Sequence, residues 1–253
     1  MYRPRVIPTL LLQGNELVKT VQFGSPHYIG DPINAVHLFN SMKADELVFL
    51  DINATREKRT IPIELVKQVG EEANMPFSVG GGIKSLDTIR EIISAGAERV
   101  IIGSYAVENP EFIREAAEAF GSSTIAVCID YKKKWLGGCR VHHINGKQSS
   151  NWTPLEFALK MQEMGAGELL VQSIEHDGKM SGYDLDVLAS ISNSVTVPVV
   201  ALGGAGSTND LRNAWIKANV NGLAAGSLFV YQGTKKGVLI NYPEKSEWYF
   251  PAD

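Results

Sequence analysis

The chain has 253 residues, enough for one large domain or two small ones. With 44% hydrophobic and 21% charged residues it has an ordinary globular composition, and a formal net charge of −4 gives no electrostatic case for nucleic acid or an anionic membrane surface. No apolar run approaches the ~20 residues of a membrane span, and the N-terminus lacks the apolar core of a signal peptide. Two cysteines, Cys128 and Cys139, make no disulfide framework, so a reducing, cytoplasmic setting is expected.

Apolar runs predict eight strands, near residues 5–11, 46–52, 77–80, 99–103, 124–130, 168–173, 199–203 and 221–226. Most are continuous in Val, Ile and Leu, as parallel strands buried on both faces should be. Helix starts fall between them. Asp31-Pro32 and Asn109-Pro110 each offer a cap followed by proline, Thr153-Pro154-Leu155-Glu156 has capping-box spacing, and Ser85 and Ser207 are further caps. Glycines in Ala95-Gly96-Ala97 and Met164-Gly165-Ala166-Gly167 mark helix ends. Eight such units in this length have the rhythm of a (β/α)8 barrel, so 1–253 is read as one barrel domain; a doubly wound open sheet is the rival. Two segments interrupt the rhythm. Residues 19–31 form a long connection whose part 16–23 looks like a short hairpin. Residues 132–151, with Gly137-Gly138 and Asn145-Gly146, carry a second hairpin signal. In a barrel both would lie on the C-terminal, active-site face.

The pattern repeats at half length. Ser78-Val79-Gly80-Gly81-Gly82-Ile83 is echoed by Val199-Val200-Ala201-Leu202-Gly203-Gly204-Ala205-Gly206-Ser207, and Ile101-Ile102-Gly103-Ser104 by Ala224-Ala225-Gly226-Ser227. Gly80 to Gly203 and Ser104 to Ser227 are both 123 residues apart, and Glu46 to Glu168 is 122. A duplicated half-fold explains this, and it favours the barrel. Each half then offers a strand, a glycine turn and a helix start, which suits a phosphate group. Gly81, Gly82, Gly103 and Ser104 would form one cradle, and Gly204, Gly206, Gly226 and Ser227 a second. The alternatives are plain tight turns, or one cradle left as a relic of duplication.

Three carboxylates fall near strand ends: Asp130, Asp51 and Asp177. Each could do acid/base work, or serve as an N-cap or salt-bridge partner. Arg5, Glu46, Arg99 and Glu168 fall at strand starts and should gather at the opposite mouth, as a charged plug or as solvated charge. The five histidines show no ligand spacing, with His142 and His143 on opposite faces of a strand, so no metal site is expected, nor any cofactor.

These residues resemble the cyclase subunit of imidazole glycerol phosphate synthase, up to about Phe229. The matching stretches are Val6-Ile7-Pro8, Val18-Lys19, Asp31-Pro32, 44–52, Val79-Gly80-Gly81-Gly82-Ile83, Asn109-Pro110, Ile129-Asp130, Asp177-Gly178, Gly182-Tyr183-Asp184 and Gly203-Gly204-Ala205-Gly206. The resemblance implies a half-duplicated barrel that binds a two-phosphate substrate. It also implies a class I glutaminase partner on the N-terminal face, whose ammonia passes through the barrel to the C-terminal face. Arg5, Glu46, Arg99 and Glu168 then match the ammonia gate, with Arg99 standing where lysine is usual. The resemblance also implies two catalytic acid/base aspartates, at the ends of strands 1 and 5; Asp130 matches the second, Lys19 matches a residue near the substrate, and Asp177 with Gly178 a substrate loop.

Three departures stand out. The family's first catalytic aspartate falls in the pattern Ile-Pro-x-Leu-Asp, and this chain reads Ile7-Pro8-Thr9-Leu10-Leu11. Gly103 replaces an asparagine beside the first cradle, and a tail from Gly237 to Pro243 replaces the last helix. This combination resembles divergent cyclase copies that supply ammonia to a sugar amidotransferase, for an acetamidino group on a surface-polysaccharide sugar. Ordinary imidazole glycerol phosphate synthesis, with Asp51 or Asp177 standing in for the lost aspartate, and a non-catalytic conduit remain the alternatives.

Overall fold

A computed structural model describes residues 3–135, 137–233 and 236–247. Eight strands form a closed parallel barrel: β1 (Arg5–Gln13), β2 (Leu47–Asp51), β3 (Phe77–Gly80), β4 (Arg99–Ile102), β5 (Ile125–Lys133), β6 (Glu168–Ser173), β7 (Val199–Leu202) and β8 (Gly222–Ala225). Each pairs with the next, and β8 returns to β1 with Arg5 opposite Gly222 and Pro8 opposite Ala225. Helices α1 (Pro32–Ser41), α2 (Ile63–Glu72), α3 (Leu86–Ser94), α4 (Glu111–Phe120), α5 (Pro154–Glu163), α6 (Leu185–Ser192) and α7 (Thr208–Ala218) cover the outside. The fold is therefore a (β/α)8 barrel, not an open sheet.

Local chemistry sets most of the boundaries. Asp31 accepts from the Asn34 amide at 2.8 Å and starts α1. Thr153 with Glu156, and Ser207 with Asp210, form capping boxes at α5 and α7. Gly96 and Gly165 take positive φ just past α3 and α5. One expected cap differs. Asn109 ends a short helix, Ser104–Glu108, and Pro110 opens α4 without a side-chain bond.

The barrel has two apolar layers. Residues facing outward from the strands, such as Val6, Leu10, Leu12, Phe49 and Val127, pack under the helices. A separate inner layer fills the bore: Ile7, Val48, Ile101, Ala126, Cys128, Leu170, Val200, Leu202 and Ala224. It separates a charged ring at the N-terminal mouth from a cavity at the C-terminal mouth.

The hairpin expected over 16–23 is placed differently. β1 runs on to Gln13, turns at Gly14 (φ +63°), and pairs antiparallel with Glu16–Lys19, which pairs in turn with His27–Gly30. Gln22 and Phe23, both at positive φ, form the tip instead of a strand. The two-residue turn follows β1 directly, so the strand and its flap are one ribbon. The second hairpin lies where expected, with β5 pairing antiparallel to Cys139–His143. The tail adds Gly237–Val238 against Tyr231–Gln232. Tyr242 then donates its hydroxyl to the Val6 carbonyl at 2.9 Å and accepts from the Asp45 amide at 3.1 Å.

Candidate active site

A cavity of about 400 Å³ opens at the C-terminal ends of β1 to β6. Gly81, Gly82, Gly103, Ser104, Asp51 and Asp130 all line it, with Leu11, Leu50, Ile101 and Cys128 as its apolar floor. The glycines are required by close packing. A methyl on Gly82 (φ +67°) would lie 1.9 Å from the Arg59 carbonyl oxygen, and one on Gly81 2.8 Å from Asp51 Cβ. Ser104 Oγ accepts from the Ile144 amide at 2.9 Å, which draws the second hairpin over the mouth. The flap closes from the other side, where the Gln22 amide donates to the Asp177 carbonyl at 3.0 Å.

The three candidate carboxylates have different surroundings. Asp51 accepts from the Asn53 and Ala54 amides at 3.0 and 3.1 Å and from both terminal nitrogens of Arg59. Its carboxylate is fully buried, so it takes the salt-bridge alternative and holds the turn after β2. Oδ1 takes both amides and one Arg59 nitrogen, and Oδ2 takes the other. Among the described residues the one side-chain hydrogen bond to the Asp130 carboxylate comes from the Cys128 thiol, which donates at 3.4 Å. Burial pushes its carboxyl up to about 7; the thiol hydrogen bond works against this and the negative charge of Asp177 adds to it. A pKa there suits a group that must both take and give a proton. Asp177 accepts from Thr20 Oγ1 at 3.3 Å and from Gln172 Nε2 at 3.4 Å. Burial raises it, and the Lys19 ammonium is the largest opposing influence.

The Asp130 shift makes a stability prediction. Its folded pKa lies above the unfolded value, so the folded state binds the proton more tightly. That advantage is present at low pH and is lost as pH rises from about 4 towards 7. Asp130→Asn should therefore melt higher than wild type at pH 8, with the gap closing at pH 5. A gap independent of pH would mean that Asp130 is not the titrating group.

The register confirms that Leu11 stands where Asp130 stands in the other half. Leu11 pairs with Leu50 and Leu12 with Asp51, while Asp130 pairs with Gln172 and Tyr131 with Ser173. Leu11 is 7% exposed and faces the bore.

The remaining candidates gather elsewhere. Lys19, Asp177, Gly178, Gly204, Gly226 and Ser227 surround a separate space of about 20 Å³ beside β7 and β8. Gly206 does not line it, and its amide donates to Asp210 at 3.0 Å.

At the N-terminal mouth, Arg5 bridges Glu46 and Glu168, and Arg99 Nη1 reaches Glu46 at 3.3 Å. Glu46 and Glu168 are 2% and 5% exposed, so these are not solvated charges. Burial works against the Arg5 charge, but its two glutamates outweigh it; burial raises Glu168. Ser78 Oγ donates to Glu46 at 3.0 Å, a ring member that a serine inside an apolar run gave no sign of. Arg59, Gln172 and Asp210 were likewise not visible as site residues, although Gln172 is the half-repeat counterpart of Leu50.

The chain is thus a closed (β/α)8 barrel with a glycine-lined cavity at its C-terminal mouth and buried ion pairs across the other. Residues 5–236 match the family described as histidine biosynthesis protein, and the chain belongs to that family. It is 44% identical over 250 residues to a provisionally named imidazole glycerol phosphate synthase subunit HisF of Leptospira interrogans, covering 98% of each chain. It is also 44% identical over 244 residues to a provisionally named subunit hisF2 of Pseudomonas aeruginosa, covering 96% of this chain and 97% of that one. To imidazole glycerol phosphate synthase subunit HisF of Alkaliphilus metalliredigens it is 39% identical over 231 residues, or 91% and 92% of the two chains.

Proposed function

We propose that this chain is the ammonia-accepting barrel subunit of a glutamine amidotransferase of the imidazole glycerol phosphate synthase type, in a divergent role. A class I glutaminase docks on the N-terminal face. Ammonia passes the ring of Arg5, Glu46, Arg99 and Glu168 and emerges at the C-terminal cavity. There it serves acetamidino-sugar synthesis for a surface polysaccharide, through a sugar amidotransferase. Leu11 carries this reading, because it removes one of two proton-transferring groups while the ring and the first glycine cradle are kept.

The second reading is ordinary cyclisation in histidine biosynthesis. Asp51 gives it little support, since Arg59 and two amides occupy its carboxylate. Complementation separates the two. The gene, expressed with a matching glutaminase, should fail to rescue a histidine auxotroph that lacks its own cyclase subunit. Growth without histidine would defeat the divergent role.

A further inference from the structure

Alternate residues of a strand share a face. Ile7 on β1 and Cys128 on β5 belong to the inner layer, so Thr9 and Leu11 follow on the inward face of β1, and Asp130 on that of β5. Leu11 stands where Asp130 stands in the other half, and Thr9 therefore stands where Cys128 does. Both are hydrogen-bond donors, and both are buried.

Their partners differ. The Cys128 thiol donates to Asp130 Oδ1 at 3.4 Å, while Gln172 Oε1 lies further off at 4.0 Å. Burial, reinforced by Asp130, pushes the thiol well above its ordinary value, so it keeps the proton that it donates. Among the described residues no hydrogen bond reaches the other Asp130 oxygen, on a side chain that lines the cavity. Thr9 Oγ1 is also buried, but among the described residues it has no hydrogen-bond partner. A buried hydroxyl in that state is rare and calls for a reason. The half-repeat supplies one. Two residues further along, where β5 has a carboxylate to accept the bond, β1 has a leucine. Thr9 and Leu11 line one small space, as Cys128 and Asp130 line one cavity.

We propose that the donor two residues before the carboxylate is a positioning residue, used by Cys128 on Asp130 and retained by Thr9 beside Leu11. This deepens the reading of Asp130 as an acid/base group and rests on it. A thiol is a weak donor. It turns one oxygen to the bore and leaves the other to the cavity, while burial still keeps the carboxyl near 7.

NMR titration of isotope-labelled aspartate carboxyls in the full chain tests this, with Asp130→Asn identifying the signal. The thiol favours the ionised carboxylate, so Cys128→Ala should lower its proton dissociation constant roughly threefold or more. Cys128→Ser restores a donor and should return the constant to the wild-type value or above. The other ionisable groups around the cavity, Asp51, Arg56, Lys84, Tyr105 and Lys147, and Asp177 beyond Gln172, are the same in each protein. Differences between the variants therefore read the donor. A carboxyl introduced by Leu11→Asp should likewise ionise more readily than the same carboxyl in the double variant with Thr9→Val. An unmoved Asp130 titration in a folded Cys128→Ala protein, a serine variant that titrates like the alanine one, or an introduced carboxyl indifferent to Thr9 overturns the inference. The titration needs no substrate, so the acid/base reading fails separately, if Asp130→Asn keeps the wild-type rate of turnover with ammonium salt.

Discussion

Given excess ammonium salt and the two-phosphate substrate of imidazole glycerol phosphate synthase, the purified chain should cyclise it about 10²–10⁴-fold more slowly than a HisF subunit with both aspartates. Ammonium salt removes the need for the glutaminase, so the measurement isolates the barrel. The resemblance implies that cyclisation uses two aspartates as acid and base. Asp130, with its carboxyl near 7, can serve one side. The other side meets Leu11, which lies in the same register across the half-repeat and carries no ionisable group. Asp51 lines the same cavity as Leu11 but is tied to Arg59, and Asp177 lines the small space beside β7 and β8 with Leu11 but is held by Thr20 and Gln172. Leu11→Asp should return a fraction of the rate. Wild-type turnover at ordinary enzyme rates would end the divergent reading.

The largest stability effect is expected at the opposite mouth. Arg5→Ala removes the cation shared by Glu46 and Glu168, two carboxylates that are almost wholly buried. Stripping one partner from a buried ion pair typically costs ~3–5 kcal/mol. Arg5 is itself about a quarter exposed and Arg99 still contacts Glu46, so about 2–3 kcal/mol is expected here. For a chain of this size that lowers Tm by roughly 5–10 °C. The sign of the pH dependence follows from Glu168. Its folded pKa is already raised by burial and rises further without Arg5, so the variant is least destabilised at low pH and loses stability as pH rises through that pKa. On the proposed function, the same variant paired with a glutaminase should hydrolyse glutamine without passing the ammonia on. Unchanged coupling and an unchanged melting curve would reduce the ring to surface charge. Arg5→Lys, which keeps the charge but loses the two-pronged contact, should fall between.

The fold was legible because it is written in local signals. Continuous Val and Ile runs and capping residues at fixed spacing mark the strands and helices, and the half-length repeat distinguishes a barrel from an open sheet. The ring at the N-terminal mouth was legible for a related reason: a charged residue at a strand start has one end of the barrel to go to. What could not be read depends on contacts between distant segments. Asp51 sits at a strand end like Asp130, and only the arrival of Arg59 from the following turn separates a structural carboxylate from a free one. Lys19 was visible as a residue near the substrate, but not as part of the small space beside β7 and β8. The Ser207–Asp210 box reads as an ordinary helix start. That its carboxylate also takes the Gly206 amide is a property of the folded turn.

Tyr242 has a consequence for the order in which the barrel can assemble. β1 to β4 can pair successively as they leave the ribosome, but β1 is sealed only by β8, more than two hundred residues later, when Arg5 meets Gly222. Until then β1 presents an open edge, the kind of surface that recruits stray strands. The Tyr242 hydroxyl, bonded to both Val6 and Asp45, fastens the first strand after that seam has formed. The tail is thus a latch on a late, long-range closure, the kind of step that makes a fold slow. Because the latch lies one residue from Arg5 and one from Glu46, the tail also helps to hold the backbone that carries the ion-pair ring.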